Sequence, residues 1–258
     1  RIRTINYKIE EKLFRNIEAQ ITGTEEPNKI IVIGAHYDSH EKSPGADDNA
    51  SGIAALLAIA NAASAKNFAK TLRLVAFTNE EAPFFMTDQM GSLVYARYCK
   101  EQNENIIAMF SLECIGYYSG EENSQKYPWP WGMFYPSKGD FIAFIGNYPS
   151  RDLVRQTVAS FRANTSFPSE GAAVPASITG VSWSDHWSFW QAGCRALMIT
   201  DTAPFRYPYY HTANDTPDKL DYDRLARATI GLEKVIDELA GAKPKPPPPN
   251  LANTIAKK

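Results

Sequence analysis

Residues 30–52 read Ile-Ile-Val-Ile-Gly-Ala-His-Tyr-Asp-Ser-His-Glu-Lys-Ser-Pro-Gly-Ala-Asp-Asp-Asn-Ala-Ser-Gly. Ile30 to Ile33 is a continuous apolar run rich in β-branched residues and preceded by Glu-Pro-Asn at 26–28. Such a run predicts a strand buried on both faces of a parallel or mixed sheet. The chain then turns polar at His36 and Asp38, passes a Ser-Pro-Gly turn and reaches Asp47-Asp48-Asn49. The Ala- and Leu-rich segment from Ile53 predicts a helix over about 50–65. Strand, polar loop and helix therefore put a histidine and several carboxylates at a strand's carboxyl end, where open α/β sheets build sites. Taken alone, a histidine after a strand is ordinarily a loop residue, and acidic residues before a helix ordinarily favour its N-terminus.

Outward from this stretch the same pattern recurs. Residues 1–22 alternate weakly and predict an edge strand joined to the 30–35 strand by the loop 22–28. Residues 71–78 predict a strand ending in Asn79-Glu80-Glu81, and 91–100 a helix. Residues 106–112 predict a strand ending in Glu113, followed by a long Tyr/Trp/Pro/Gly-rich loop over 117–139. A strand at 140–146, a helix at 150–163, irregular chain over 164–183, a short helix at 184–190, a strand at 194–200 and a helix at 221–239 complete the series. This order predicts one α/β domain over residues 1–242, with a mostly parallel sheet. The proline-rich tail at 243–258 is expected to be extended and to join neither sheet nor helix.

Composition narrows the function. Of 258 residues 44% are hydrophobic, and a net charge of −2 with scattered basic residues does not suit a nucleic-acid or membrane-surface binder. Cys99, Cys114 and Cys194 lie far apart, so neither a disulfide framework nor a cysteine-rich zinc module is expected. The chain begins Arg-Ile-Arg without methionine, as after removal of a signal peptide.

Strand ends in one sheet lie side by side, so His36, Asp38, Glu80, Glu81 and Glu113 should converge, joined by Asp48 and His211. Carboxylates gathered without a cation would raise one another's pKa sharply. Two histidines and three or more carboxylates suit zinc, and their number suits a pair of ions. Asp48 would then bridge, with His36 and Glu113 on one ion and Glu81 and His211 on the other. Glu80 is left as a general base acting on a metal-bridging water.

In the motifs Gly34-Ala-His-Tyr-Asp-Ser, Pro44-Gly-Ala-Asp-Asp-Asn-Ala-Ser-Gly, Asn79-Glu-Glu, Ser184-Asp-His-x-x-Phe and Tyr210-His-Thr, the sequence resembles the co-catalytic di-zinc aminopeptidases. These include aminopeptidase S and aminopeptidase Y and are related to glutaminyl cyclases. The resemblance runs from about residue 30 to 240. It implies a three-layer α/β/α zinc-exopeptidase (phosphorylase/hydrolase-like) fold and hydrolysis of N-terminal amino acids from peptides. It further implies two zinc ions per chain on His36, Asp48, Glu81, Glu113 and His211, and Glu80 as base. It selects Asp48 over Asp47 as the bridge, makes Asp38 the group orienting the His36 ring through its other nitrogen, and makes Tyr210 an oxyanion donor. Relatives are often secreted or periplasmic. Many carry Asp where Glu113 stands, and this bears on how the free amine is held.

Other residues rank lower. Asp185 and His186 read as supporting structure, His40 as solvent-facing, and Cys114 as an inert buried thiol. Trp129, Trp131, Phe134 and Tyr135 read equally as lining a substrate pocket or as surface packing. The competing functions are a glutaminyl cyclase, a carboxypeptidase using Arg206 for the substrate carboxylate, and a binding domain without catalysis. Tyr210 stands where cyclase relatives carry Trp, which favours the peptidase.

Overall fold

A computed structural model describes residues 1–245 of the chain. Eight strands form one mixed sheet: β1 (Ile2–Ile9), β2 (Lys12–Ile21), β3 (Glu26–His36), β5 (Lys70–Phe77), β6 (Ile106–Glu113), β7 (Ile142–Gly146), β8 (Ser169–Ala173) and β9 (Ala196–Thr200). Their spatial order is β1-β2-β5-β3-β6-β9-β7-β8, and the central four, β5, β3, β6 and β9, are mutually parallel. The carboxyl ends of these four therefore share one edge of the sheet. β4 (Lys66–Phe68) pairs separately with β10 (Ala242–Pro244).

The helices cover both faces, giving the expected three layers. Ile31, Ile33, Phe110, Leu112, Phe144 and Ile199 pack with α1 (Gly52–Ser64), α3 (Arg151–Asn164) and α6 (Tyr222–Ala240). Ile30, Val32, Val75, Phe77 and Met109 face the other way, toward α2 (Gly91–Glu101) and α4 (His186–Gln191). Alternate residues of β3 from Ile30 onward thus enter opposite cores, and for that reason residues 30–35 are apolar without interruption. The remaining helix, α5 (Ala203–Arg206), is a single turn beyond β9.

Three expectations are corrected. Residues 1–22 form a hairpin rather than one strand, and the hairpin's second strand, β2, pairs with β5. Its turn, Glu10-Glu11, carries no Gly or Asn to mark it, although Glu10 takes a φ of 52°. The stretch 164–183 contains β8, whose Ser-Glu-Gly-Ala-Ala has no β-branched or aromatic residue and forms as the sheet's edge strand beside β7. Lys243 and Pro244 join a ladder after all. A two-stranded ladder leaves each strand with a free edge, so a proline without an N–H is tolerated there. Most of the expected tail lies outside the described residues. Cys99, Cys114 and Cys194 are free, as expected.

A candidate metal centre and its adjoining cavity

His36 ends β3, Glu113 ends β6, and Glu80-Glu81 follow β5, so topology alone delivers them to one place. Asp48 arrives through a staple built from its neighbours. Asn49 donates to the Leu112 carbonyl at 2.8 Å and accepts from the Cys114 amide at 3.1 Å. The Ser51 hydroxyl accepts from the Ile115 amide at 3.0 Å, and Asp47 from the Gly116 amide at 2.8 Å. Asp47, Asn49 and Ser51 thus grip the main chain around Glu113, while Asp48 faces the cleft. Gly52 permits this closeness, since a Cβ there would sit 2.6 Å from the Leu112 carbonyl oxygen. A second clamp is Asp215, which is fully buried. Its carboxylate accepts from the amides of Asp47 (2.8 Å) and Asp48 (3.2 Å) and from the hydroxyls of Tyr207 (2.9 Å) and Ser43 (3.3 Å). It ties the Asp48 turn to the segment carrying His211.

The two imidazoles meet carboxylates on either side of Asp48. His36 Nε2 lies 3.2 Å from Asp48 Oδ1 and 3.4 Å from Glu113 Oε2. His211 Nε2 lies 2.9 Å from Asp48 Oδ2 and 3.4 Å from Glu81 Oε1. In each triad, His36–Asp48–Glu113 and Asp48–Glu81–His211, one ligand atom per residue lies within 4.8 Å of the others. Asp48 Oδ1 and Glu81 Oε1 are buried yet accept no hydrogen bond. Buried carboxylate oxygens converge with imidazole nitrogens at Asp48, and such a donor set fits two cations of zinc's preference sharing that residue. Burial alone would lower the pKa of His211, but hydrogen bonding to Asp48 and Glu81 outweighs it and raises the value to about 9. Asp48 moves down for the reciprocal reason: burial opposes its charge, and its contacts with His211 and His36 prevail.

The remaining expected residues fall around this pair. Glu80 lines the cleft and belongs to neither triad; burial, then Glu113, Asp185 and Glu81, push its carboxyl well up against the pull of His36. Glu113 is fixed by Ser184, which donates to Oε2 at 2.6 Å and is itself bonded to Ser111 at 2.7 Å. Asp38 meets His36 at the ring's other nitrogen, Nδ1. Its main-chain carbonyl, 3.0 Å from His36 Nδ1, holds the ring, while its carboxylate accepts from the amides of Glu80 and Glu81 at 3.1 and 3.0 Å. Asn79, at a φ of 57°, makes the turn that presents those amides. Tyr210 stacks on the His211 ring at 3.8 Å, and its hydroxyl has no hydrogen bond among the described residues. His40 does not face solvent: it is half-buried and stacks on the other face of His211 at 4.4 Å. A histidine four residues past a strand end gave no sequence signal of that return. Asp185 and His186 are buried and belong to neither triad, Asp185 near enough to act on Glu80 and His186 with its Nε2 donating to the Val181 carbonyl at 2.8 Å. Arg206 is also buried, donating to Gln125 at 2.7 Å and to the Phe141 carbonyl at 2.8 Å, with its guanidinium over the Phe141 ring.

Two spaces meet at Glu113, Trp183 and Tyr210. The cleft over the triads, about 280 Å³, also touches His40, Ala82 and Phe85, and no Lys or Arg lines it. The second, about 110 Å³, runs away over the β9-β7-β8 face under Tyr127, Trp131 and Tyr135. Trp131 and Tyr135 therefore line a cavity, whereas Trp129 and Phe134 are exposed at 89% and 70%.

Comparison with known proteins bears on this geometry. Residues 16–236 match the family model described as peptidase family M28. The chain is 39% identical over 228 residues to the uncharacterized protein YfbL of Escherichia coli strain K12, covering 85% of this chain and 69% of that protein. It is 28% identical over 207 residues to a probable zinc metalloprotease of Pyrenophora teres f. teres, covering 72% of this chain and 41% of that protein. Among solved structures it is similar to an aminopeptidase from Aneurinibacillus sp. strain AM-1, with 28% identity and a TM-score of 0.65, covering 90% of this chain and 49% of that one. It spans about half the length or less of the latter two.

Proposed function

The chain belongs to peptidase family M28, and from that premise we propose that it is a zinc-dependent aminopeptidase that removes N-terminal residues from peptides. The observation that carries the proposal is the pair of triads sharing Asp48, with the unshared carboxyl of Glu80 beside them. His36, Asp48 and Glu113 would hold one zinc ion, and Asp48, Glu81 and His211 the other. Bound there, the ions would supply Lewis acidity toward the scissile carbonyl and offset the charge of the gathered carboxylates.

The chain's own groups divide the remaining work. Glu80, which lines the cleft without belonging to either triad, takes the proton of the attacking water and returns it to the leaving amine. The Tyr210 hydroxyl, free of other partners, donates to the oxyanion. Glu113, whose Oε2 accepts from Ser184 and whose Oε1 accepts from the Cys114 thiol at 3.2 Å, stands where the cleft and the second cavity meet and would also receive the substrate's free α-ammonium. A cleft lined by four carboxylates and no Lys or Arg favours a substrate that ends in a cation. A carboxypeptidase needs the opposite, and the Arg206 guanidinium is occupied elsewhere.

The test is hydrolysis of aminoacyl-p-nitroanilides by zinc-loaded, chelator-treated and zinc-restored protein, beside N-terminal glutaminyl and C-terminally blocked peptides. Cleavage that requires zinc and a free amine is the expected result. Turnover of only the glutaminyl peptide, or of none, overturns it.

A further inference from the structure

The apolar cavity has a built-in ruler. Register pairs Glu113 with Thr200, Thr200 with Ala143, and Ala143 with Glu170, so these four residues form one row across β6, β9, β7 and β8. Paired residues point to the same face, and all four line the cavity. Small residues between the two glutamates leave the row open. Three strand spacings separate its ends, roughly 14 Å. An α-ammonium bonded to Glu113, an extended lysyl or arginyl side chain and a second hydrogen bond at Glu170 together span about that distance.

The chemistry along the row suits the same occupant. Tyr127, Trp131, Phe141, Ile145 and Met198 form walls for a methylene stem. At the far end the Glu170 carboxylate accepts no hydrogen bond from the described residues. The neighbouring tyrosine hydroxyls are engaged elsewhere, Tyr127 with the Pro136 carbonyl at 2.7 Å and Tyr135 with the Gly171 carbonyl at 3.3 Å. Arg162 is 3.7 Å away and spends its guanidinium on Ser169. Burial raises the Glu170 pKa, with Arg162 opposing, as expected of a carboxyl short of donors. Among the described residues no Lys or Arg lines the cavity.

Resting on the aminopeptidase reading, we propose that this cavity receives the side chain of the substrate's first residue and that Glu170 selects a basic one, lysine or arginine. Leucine would stop short of Glu170, and phenylalanine would bury it without a donor.

The experiment compares lysyl- with norleucyl-p-nitroanilide, which differ by the terminal ammonium, in the wild type and Glu170→Gln. Wild-type kcat/KM should favour lysyl by roughly ten- to a hundredfold, the range of a charge-assisted hydrogen bond, and the ratio should collapse in the variant. Norleucyl turnover equal to or above lysyl, or a ratio unchanged in Glu170→Gln, overturns the inference. Calorimetric binding of free L-lysine against L-norleucine provides a readout that does not depend on turnover. If no aminoacyl substrate is cleaved, the aminopeptidase reading fails. The cavity's preference for lysine, and its loss in Glu170→Gln, is then decided by calorimetry alone, and equal binding of the two amino acids refutes it.

Discussion

Replacing Asp215 with asparagine changes one atom of a fully buried side chain yet should loosen the centre that it never touches. Oδ1 serves the Asp47 amide and the Tyr207 hydroxyl; Oδ2 serves the Asp48 amide and the Ser43 hydroxyl. Asparagine keeps one acceptor oxygen, so in either orientation its NH2 group faces one of the two backbone amides. A hydroxyl can rotate to accept from that NH2, but an amide cannot. One buried N–H therefore loses its acceptor together with a charge-assisted bond, a cost of about 1.5–3 kcal/mol. Because that amide belongs to Asp48 or its neighbour, zinc affinity should fall roughly ten- to a hundredfold, as when other groups that orient ligands are removed. Urea unfolding in the presence of chelator measures the first effect, and competition with a chromogenic zinc indicator the second. Asp218→Asn, at an exposed side chain, is the control and should stay within about 0.5 kcal/mol. If Asp215→Asn matches that control in stability and the wild type in zinc affinity, the clamp has been misread.

Glu80→Gln should lower kcat by roughly a hundred- to ten-thousandfold while zinc content measured by atomic absorption stays at the wild-type level; loss of metal instead would make Glu80 a ligand. Arg73→Met should destabilise the fold by about 1.5–3 kcal/mol, because it removes the two-pronged partner of Glu104 while Glu18 keeps Arg3 and Tyr95; equilibrium denaturation reads this directly. Burial lowers the His186 pKa from 6.5 to about 4. Between those values the unfolded chain binds a proton that the native chain refuses, so the stability present above pH 6.5 drains away toward pH 4, by up to about 3 kcal/mol. His186→Gln, which keeps a donor for the Val181 carbonyl, should flatten that part of the stability–pH curve, and an unchanged slope would reject the assignment.

The parts of the fold written in apolar runs were legible from sequence. β3 from Ile30 onward, β5 and β6 are buried on both faces over most of their length, and their apolar runs say so. The hairpin turn at Glu10-Glu11 and the Ser-Glu-Gly-Ala-Ala of β8 were not, because their partners in the sheet, rather than local propensity, make them strands. The same division runs through the site. His36, Glu80, Glu81 and Glu113 announce themselves by ending strands. Asp215, which touches the Asp47 and Asp48 amides from the far end of the chain, and His40, which doubles back onto His211, depend on contacts that no short window contains. Asp38 was found for its nearness to His36, while its carboxylate proved to hold the amides of Glu80 and Glu81.

The staple formed by Asp47, Asn49 and Ser51 grips only main-chain groups between Leu112 and Gly116. It is therefore indifferent to which side chains that segment carries. Position 113 can exchange a shorter acid for a longer one without re-registering Asp48, whereas Cys114, at a φ of 48° and buried against Ala203 and Tyr207, is held to small side chains by its packing and not by the staple. The seam works like a standard fitting: one half of the centre can be respecified by mutation, natural or designed, while the other half stays in place.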